Sequence, residues 1–303
     1  MKTVVIAGGS GLIGKQLSEL LAASGYEVLW LSRKQNLAAR FPTFAWNPSA
    51  GTIDETPLLR ADFIINLAGS GIADGRWTTK TKQEIIESRT KSAQLIADFL
   101  KTKPHRVKAY VAASAIGFYG ERGDQWLTEN ADAGHGFLAE STLAWEAATQ
   151  TVAQTGVRSV ALRIGIVLST KGGALPKMLI SFNFLMGIYF GNGQQFYSWI
   201  HIEDVARMFQ FALENEAMNG IFNAVAPAPV TNKTFTKNLG TALSRPVLLL
   251  PAPSFALKIA LGEMSTVVLN SNRVSAEKIE KTGFKFLFPE NIAALKDVLK
   301  RKI

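Results

Sequence analysis

Three glycines near the amino end have the spacing of a phosphate-binding turn. Gly8, Gly11 and Gly14 follow a short apolar run over residues 3–7 and precede leucines at helical spacing, which begin at Leu17. A buried strand, a tight glycine turn and a helix in this order bring backbone N–H groups and a helix amino terminus close to a pyrophosphate. The turn therefore predicts a dinucleotide site, and the alternative is a glycine turn without a ligand.

The end of the second predicted strand bears on which dinucleotide is bound. Proteins that bind NAD carry an acid about 20 residues beyond the turn, and this acid contacts the ribose 2′-hydroxyl. Here the sequence is Leu31-Ser32-Arg33-Lys34, with no carboxylate. An acid would repel a 2′-phosphate, whereas Arg33 can bind it through two hydrogen bonds and Ser32 and Lys34 add donors. The sequence favours NADPH, with an ordinary loop cation at Arg33 as the alternative.

A further strand exit has the sequence Asn66-Leu67-Ala68-Gly69. Small residues at this point let the backbone pass close to the adenosine half of a dinucleotide, because no bulky side chain stands in the way. The segment is therefore predicted to contact the cofactor. The alternative is a tight exit from the strand that has no ligand role.

Apolar β-branched runs alternate with segments of helical periodicity along the first 170 residues. This alternation predicts βαβ units and an α/β fold with a doubly wound parallel sheet. We expect a dinucleotide-binding domain over residues 1–170, with a later strand returning near 221–226, and mainly substrate-side structure over 171–303. The predicted strands after the first cover residues 26–31, 62–67, 109–113 and 159–164, and the clearest helices cover 81–100, 138–154, 202–214 and 232–243.

Composition excludes several classes of protein. The 303 residues are 47% hydrophobic and include no cysteine, so disulfides, thiolate nucleophiles and zinc–thiolate sites are excluded, and a reducing cytoplasm is expected. The net charge is +9, but the basic residues are scattered, and no nucleic-acid-binding motif is present. The uncharged segment 178–193 is too short to span a bilayer, although it could form a lid or a contact surface. We expect neither a nucleic-acid nor a membrane partner, no metal site, and a monomer or homodimer.

Eight motifs along the chain occur together in one known family. The first five are Gly8-Gly9-Ser10-Gly11-Leu12-Ile13-Gly14, Asn66-Leu67-Ala68-Gly69, Ser114-Ala115-Ile116-Gly117-Phe118-Tyr119-Gly120, Arg163-Ile164-Gly165-Ile166-Val167-Leu168 and Trp199-Ile200-His201-Ile202-Glu203-Asp204-Val205, and those of the tail are Leu261-Gly262-Glu263-Met264, Arg273-Val274 and Gly283-Phe284-Lys285-Phe286. The first five resemble the extended short-chain dehydrogenase/reductases, which include the sugar-nucleotide epimerases and dehydratases. The tail resembles the C-terminal domain of an atypical branch known as "epimerase family protein". The resemblance implies an NAD(P)-binding Rossmann fold with a smaller C-terminal substrate domain.

The catalytic residues of that family are only partly present. Ordinary members use a Ser, a Tyr and a Lys, in which the Tyr transfers a proton and the Lys lowers its pKa. Ser114 occupies the Ser position. The Tyr and Lys positions hold Leu138 and Thr142, and residues 121–170 contain neither Tyr nor Lys. An aliphatic side chain cannot transfer a proton, so the resemblance implies the cofactor more firmly than the reaction.

Other residues are candidates for the missing roles. Tyr119 is a candidate acid, although in relatives this Tyr mostly supports its loop. His201 can titrate near neutrality, or it can fix its own loop by a hydrogen bond. Glu140 is either an acid of the site or an exposed helix residue. Trp77 and Trp199 line the substrate cleft or pack in the core, and residues 191–195 contact the substrate or form a turn.

Arg89 is the remaining candidate. The resemblance places an Arg here where ordinary members have a helix Asn. Arg89 can hydrogen-bond a main-chain carbonyl group or bind a carboxylate or phosphate of a substrate, and the sequence leaves both roles open.

The sequence favours an NADP-dependent oxidoreductase or epimerase-like enzyme (an isomerase) that acts on a carbonyl, a hydroxyl or a sugar-nucleotide-like substrate. The alternative is a non-catalytic NADPH-binding sensor or scaffold. Ser114 and Tyr119 are the catalytic candidates, and Trp77, Tyr119, Trp199 and His201 are the substrate candidates. The predicted cofactor contacts are Gly8, Ser10, Gly11, Leu12, Ile13, Gly14, Ser32, Arg33, Lys34, Asn66, Leu67, Ala68, Gly69, Arg89 and Ser114.

Overall fold

The structure is a computed structural model that describes residues 1–300. Its strands are β1 (Thr3–Ala7), β2 (Glu27–Ser32), β3 (Thr43–Asn47), β4 (Thr52–Ile53), β5 (Phe63–Asn66), β6 (Ala109–Ala115), β7 (Trp126–Leu127), β8 (Arg158–Ile164), β9 (Ile166–Leu168), β10 (Met186–Phe190), β11 (Phe196–Tyr197), β12 (Trp199–His201), β13 (Gly220–Ala224), β14 (Val230–Thr231), β15 (Leu248–Ala252) and β16 (Arg273–Val274). Its helices are α1 (Leu12–Ala23), α2 (Thr56–Arg60), α3 (Thr79–Thr102), α4 (Phe137–Ala153), α5 (Ala174–Phe182), α6 (Ile202–Glu214), α7 (Asn232–Ala242), α8 (Ser254–Leu261), α9 (Thr266–Leu269), α10 (Glu277–Lys281) and α11 (Asn291–Lys300).

An eight-stranded sheet organises the fold, with the strand order β13-β8-β6-β5-β1-β2-β3-β4. Neighbouring strands are parallel except for the β3–β4 pair at one edge. From β1 the chain first proceeds toward β3 and then, from β5 onward, toward β13. This reversal beside β1 is the topological switch point at which ligands bind in open α/β sheets. The predicted α/β Rossmann fold with a doubly wound parallel sheet is confirmed.

The first strand shows why both faces of the sheet are covered. All of β1 is buried, and its side chains alternate between two separate cores. Val4 and Ile6 join the larger core with apolar residues of α1 and α6. Val5 and Ala7 join the smaller core with apolar residues of α3. An uninterrupted apolar strand therefore fits a sheet with helices on both sides.

Two element boundaries differ from the predicted ones for identifiable reasons. The second strand begins at Glu27, because Gly25 adopts φ +82° after α1 and the Tyr26 N–H still bonds to the Leu21 carbonyl. Helix α3 begins at Thr79, two residues earlier than predicted. The Thr78 hydroxyl accepts a hydrogen bond from the Thr81 N–H at 3.1 Å and so caps the helix.

The later part of the chain returns to the sheet and closes over one of its ends. Strand β13 pairs in parallel with β8, at the place where a returning strand was expected. Strands β16 and β7 also pair, and the Asn272 amide donates to the Gly120 carbonyl at 2.5 Å. Within residues 1–300, no helix is long and apolar enough to cross a membrane.

Candidate functional site

The glycine turn lies between β1 and α1, and its backbone is packed too closely for side chains. Gly8 adopts φ +80°, and a Cβ atom there would lie 2.9 Å from the Leu67 carbonyl oxygen. A Cβ atom on Gly14 would lie 2.6 Å from the carbonyl oxygens of Gly8 and Gly9. The turn thus needs glycine at positions 8 and 14, which fits a cradle for a phosphate group.

Helix α1 presents its amino terminus to the space beside this turn. Gly11 is the N-cap residue and provides no side-chain hydrogen bond, and the first turn of the helix carries no acidic residue. The first N–H groups of a helix have no intrahelical partner, and the helix dipole favours negative charge there. Gly11, Leu12 and Ile13 also line the adjacent cavity. This terminus therefore fits an anion such as a pyrophosphate.

The predicted 2′-phosphate contacts lie at the same edge of the sheet. Ala7 is aligned with Leu31 in the parallel β1–β2 pair, so Ser32 lies next to Gly8. Arg33 and Lys34 follow directly and are exposed. Their position beside the glycine turn allows them to reach the adenosine end of a bound dinucleotide.

Asn66 anchors the strand exit beside the glycine turn. Its side chain is buried, donates to the hydroxyls of Ser92 and Tyr110 at 3.0 and 2.9 Å, and accepts from the Ala68 N–H at 3.1 Å. The Asn66 side chain is therefore occupied within the protein. The part of this segment that faces the cavity is Leu67.

Arg89 of α3 combines a main-chain role with a place in the cavity wall. Its guanidinium donates to the carbonyl oxygens of Ile85 and Ser70, both at 2.9 Å, and lies 4.8 Å from the ring centroid of Trp145. Burial lowers its pKa to about 10, so it remains charged at neutral pH. It is in contact distance of Gly69, where a Cβ atom would lie 2.9 Å from its Cζ atom. Main-chain bonding is thus present, and Arg89 also lines the cavity.

A cavity of about 500 Å³ extends from the glycine turn to α9. It lies over the carboxyl ends of β1 and β6, beside the topological switch point, where the fold places its ligands. Its walls are mainly apolar, which suits a site that excludes water. Its polar side chains are those of Arg89, Ser114, Ser141, Thr142, Tyr197, Ser198, Thr266, Asn270 and Asn272.

Ser114 is the first member of a buried polar network behind the cavity wall. Its hydroxyl donates to Glu146 Oε1 at 2.6 Å. Arg163 binds the same carboxylate through two bonds, from Nε to Oε1 and from Nη2 to Oε2, each 2.8 Å. Only 2% of the Arg163 side chain and 10% of the Glu146 side chain are exposed. A bidentate pair of this kind fixes the carboxylate, and the carboxylate fixes the Ser114 hydroxyl.

The positions of the missing Tyr and Lys form part of the same wall. Leu138 and Thr142 both line the cavity, one turn apart on α4. The Thr142 hydroxyl donates to the Leu138 carbonyl at 2.7 Å. The wall at this point is therefore aliphatic, with a hydroxyl that is bonded to its own helix.

Tyr119 is buried behind this wall and does not line the cavity. Its hydroxyl donates to Asn223 Oδ1 at 2.7 Å and accepts from Arg163 at 3.0 Å. Burial raises the pKa of this phenol, so it stays protonated at neutral pH. The structure thus places the catalytic candidate Tyr119 in the hydrogen-bond network of Arg163 and not in the cavity wall.

The remaining substrate candidates also lie outside the cavity wall. Trp199 is fully buried and its indole N–H donates to the Ala228 carbonyl, while the Trp77 indole donates to the Ile72 carbonyl. His201 is fully buried, caps α6 by accepting from the Glu203 N–H, and stacks on Phe288 at 3.9 Å. Trp199 and His201 therefore have partners within the protein, which agrees with the structural one of the two roles predicted for each, and their substrate contacts stay predictions.

Two further parts of the chain, Glu140 and residues 191–195, were also predicted to lie near the substrate. Glu140 is exposed on α4 and does not line the cavity. Residues 191–195 turn the chain between β10 and β11. Gly191, Asn192, Gln194 and Gln195 border a second cavity of about 700 Å³, which shares Thr266 and Asn270 with the first. The segment therefore lies next to the apolar cavity, across α9.

Several residues of the site were not predicted from the sequence, among them Arg163, Glu146 and Tyr197. A signal for Arg163 existed, because a charged residue inside the apolar run 159–164 requires a buried partner. Glu146 is that partner, but nothing local identifies it, since the two residues lie on different elements. Tyr197 lines the cavity and donates from its hydroxyl to the Val268 carbonyl at 3.0 Å. Burial raises the pKa of Tyr197, so it too remains protonated.

Comparison with known proteins decides the family. A model of the NAD dependent epimerase/dehydratase family matches residues 4–224, which is most of the chain. The chain belongs to this family. A second model, a domain of unknown function named DUF1731, matches residues 252–298. The predicted resemblance to the atypical branch with its own C-terminal domain is confirmed.

Members of this family similar to the chain cover nearly its whole length. "Epimerase family protein ML0860" of Mycobacterium leprae is 37% identical over 284 residues, which are 93% of this chain and 91% of that protein. "Epimerase family protein YfhF" of Bacillus subtilis is 36% identical over 298 residues, which are 98% and 97% of the two chains. The crystal structure of human epimerase family protein SDR39U1 (isoform 2) with NADPH superposes with a TM-score of 0.89 at 32% identity, covering 98% of this chain and 99% of that one.

Proposed function

We propose that this chain is an NADPH-dependent oxidoreductase that transfers hydride to or from a small carbonyl or hydroxyl compound held in the apolar cavity. The observation that carries the proposal is the continuity of that cavity. It extends from the glycine turn at Gly8 to the fixed hydroxyl of Ser114 and on to α9, so the nicotinamide half of a dinucleotide bound at the turn and a substrate beside Ser114 would share one space.

The dinucleotide end of the cavity fits NADPH in particular. The uncapped amino terminus of α1 accommodates the pyrophosphate. Arg33 and Lys34 are free of acidic neighbours in the sequence and lie exposed next to the turn, where a 2′-phosphate would lie. The structure of human SDR39U1, which is similar over almost its full length, was determined with NADPH. These observations agree with the choice of NADPH over NADH.

The residues of the chain can bind and orient the reactants. The nicotinamide cofactor, when bound, supplies the hydride to a carbonyl compound or accepts it from a hydroxyl compound. Ser114 Oγ is held by Glu146 and Arg163 and would accept the hydrogen of a substrate hydroxyl group. In the direction of alcohol oxidation, that proton would pass to Ser114 Oγ while the Ser114 hydrogen passes to Glu146 Oε1. The apolar wall around Leu138 excludes water, which strengthens these polar contacts. Orientation in a dry site is itself a source of rate enhancement.

A second candidate function is favoured by one specific observation. The titratable side chains in the cavity wall, within residues 1–300, are Arg89 and Tyr197, and both are hydrogen-bonded to main-chain carbonyl oxygens. A wall without a free acid or base suits a protein that binds NADPH without turnover, as a sensor or scaffold would. Turnover measurements separate this candidate from the enzyme.

The first experiment is a fluorescence titration of the purified protein with NADPH and with NADH. We expect tighter binding of NADPH, and we expect Arg33→Ala to weaken NADPH binding by about 10-fold or more, because a hydrogen bond to a charged group is lost. NADH binding should change little. Arg245→Ala, which removes an exposed arginine between α7 and β15, is the matched control and should bind both cofactors as the unaltered protein does. Equal affinity for the two cofactors would refute the role of Arg33.

The second experiment is a turnover screen of the protein with NADPH against aldehydes and ketones, and with the oxidised cofactor NADP against secondary alcohols and nucleotide sugars. Hydride transfer is followed by absorbance of the reduced nicotinamide. Turnover that falls on Ser114→Ala while NADPH affinity is retained supports the enzyme. Tight NADPH binding without turnover on the whole panel supports the sensor or scaffold instead.

A further inference from the structure

The hydroxyl groups of the cavity wall share one property: each already donates its hydrogen to an acceptor of the protein. A hydroxyl has one hydrogen, so a group that has donated it can only accept a further hydrogen bond. The hydroxyls and their acceptors are Ser114 (Glu146 Oε1), Ser141 and Thr142 (Leu138 O), Tyr197 (Val268 O), Ser198 (Asn272 O) and Thr266 (Glu263 O).

At Ser114 the direction of the hydrogen bond is fixed by charge. Arg163 is always charged in proteins, and it donates to both oxygens of the Glu146 carboxylate. At 2.6 Å from Oε1 of this carboxylate, Ser114 Oγ must have its hydrogen between the two oxygens. Rotating it toward the cavity would leave two oxygen atoms in repulsive contact. Ser114 Oγ therefore offers the cavity lone pairs and no hydrogen.

The Ser141 and Thr142 hydroxyls on α4 have also donated their hydrogens, but through weaker bonds. Ser141 and Thr142 donate to the carbonyl oxygen of Leu138 at 3.1 and 2.7 Å. Such bonds to the preceding turn of a helix are local and neutral, so a ligand can compete for these hydrogens more easily than for that of Ser114. Ser114 thus determines whether the cavity offers a ligand a hydrogen-bond acceptor or a donor between β6 and α4.

We infer that the cavity selects a ligand that donates a hydrogen bond to Ser114, that is, a hydroxyl compound in preference to the corresponding carbonyl compound. Ser114 is the specificity-determining residue, and Glu146 and Arg163 are positioning residues that act through it. A ketone oxygen placed at Ser114 Oγ meets only lone pairs, whereas an alcohol places its hydrogen between the two oxygens. The inference rests on the proposed function for its placement of the substrate beside Ser114.

The test compares cyclohexanol with cyclohexanone, two compounds of nearly equal size that differ in the ability to donate. Each is titrated by ligand-observed NMR into the dinucleotide-free protein and into the complex with tetrahydro-NADP, a redox-inert analogue of NADPH. We expect cyclohexanol to bind about 5-fold more tightly or better, the value of one net hydrogen bond. The readout is binding alone, so it does not depend on turnover.

Variants assign the preference to Ser114. Ser114→Ala leaves the Glu146–Arg163 pair intact and should reduce the preference for cyclohexanol to about 2-fold or less. Glu146→Gln, checked for folding by circular dichroism, replaces the charged acceptor of the Ser114 hydrogen by a neutral one, so a ligand can compete for that hydrogen and cyclohexanone binding should improve. Thr151→Ala removes a hydroxyl that bonds to Ala148 O on the same helix outside the cavity, and should keep the preference of the unaltered protein.

The outcomes separate this inference from the proposed function. Failure to bind NADPH or its analogue overturns the cofactor assignment, while a cyclohexanol preference in the dinucleotide-free protein still supports the inference. Cyclohexanone bound as tightly as cyclohexanol, a preference that persists in Ser114→Ala, or failure of both compounds to bind overturns the inference even when NADPH binds.

Discussion

The buried pair of Arg163 and Glu146 gives a prediction whose size follows from the structure. We consider Glu146→Leu, Arg163→Met and the double variant, all tested without cofactor. Glu146→Leu leaves a guanidinium that is 2% exposed without its carboxylate. Removing one partner of a buried ion pair costs about 3–5 kcal/mol, because the remaining charge stays desolvated and uncompensated.

The two single variants should be similarly damaging, for related reasons. Arg163→Met leaves the Glu146 carboxylate with only the Ser114 hydroxyl as its donor. It also removes the guanidinium that lies 3.4 Å from the Phe118 ring centroid and donates to the Tyr119 hydroxyl.

The double variant replaces both charges by apolar groups of similar volume, and such replacements are often close to neutral. We therefore expect the double variant to lose less stability than either single variant.

The assay is urea unfolding followed by far-ultraviolet circular dichroism, from which the free energy of unfolding is extrapolated. In a separate thermal scan, the midpoints should fall by roughly 6–20 °C in each single variant, at about 2–4 °C per kcal/mol. Lys80→Ala with Glu84→Ala removes an exposed pair on α3 and is the control, for which no measurable change is expected.

Two results would refute this reasoning. A single variant that loses less than about 1 kcal/mol would mean that the pair is hydrated and that Ser114 is not held by a fixed carboxylate. A double variant whose loss equals the sum of the two single losses would mean that the residues do not interact, because a coupled pair departs from additivity.

Four other substitutions test separate parts of the fold and site. Gly14→Ala should abolish NADPH binding in a fluorescence titration, because its Cβ would lie 2.6 Å from two carbonyl oxygens, and normal affinity would contradict the cradle. Thr78→Ala should cost about 1 kcal/mol in urea unfolding through the lost cap of α3, with NADPH affinity kept. Tyr119→Phe should cost about 1–2 kcal/mol and spare turnover, since its hydroxyl serves Arg163 and Asn223. His201→Ala should lower stability without changing cofactor affinity, and altered affinity would restore a ligand role.

The sheet and the cofactor turn were predictable because their signals are local. A run such as residues 3–7 is apolar at every position, and in the structure both faces of that strand are buried. The glycines at 8 and 14 follow it directly, and the packing that requires them involves the turn itself and the neighbouring strand exit at Leu67. Residues close together in the sequence were therefore enough to predict the first strand and the glycine turn.

The polar network was not predictable because its contacts join distant residues. Tyr119 bonds with Asn223, 104 positions later, and Glu146 bonds with Arg163 on another element. The sequence presents Tyr119 as a tyrosine close to Ser114 and therefore as a candidate acid. Only the way β13 returns beside β8 shows that the hydroxyl faces the core. The same holds for His201, whose partners come from the C-terminal segment.

The loss of the Tyr and Lys and the retention of Ser114 have different consequences for binding and for reaction. With Leu138 and Thr142 in their places, the wall over residues 1–300 lacks the Tyr–Lys pair that gives a proton to a carbonyl oxygen, and the Tyr197 hydroxyl is bonded to the Val268 carbonyl. Ser114, backed by Glu146 and Arg163, still offers a fixed acceptor for a hydroxyl group. Ligand selection thus depends on the direction of one hydrogen bond, whereas turnover requires a proton to move along it. The two properties are separable in this chain, so selective binding of a hydroxyl compound is expected for the enzyme and for the non-catalytic NADPH-binding protein alike.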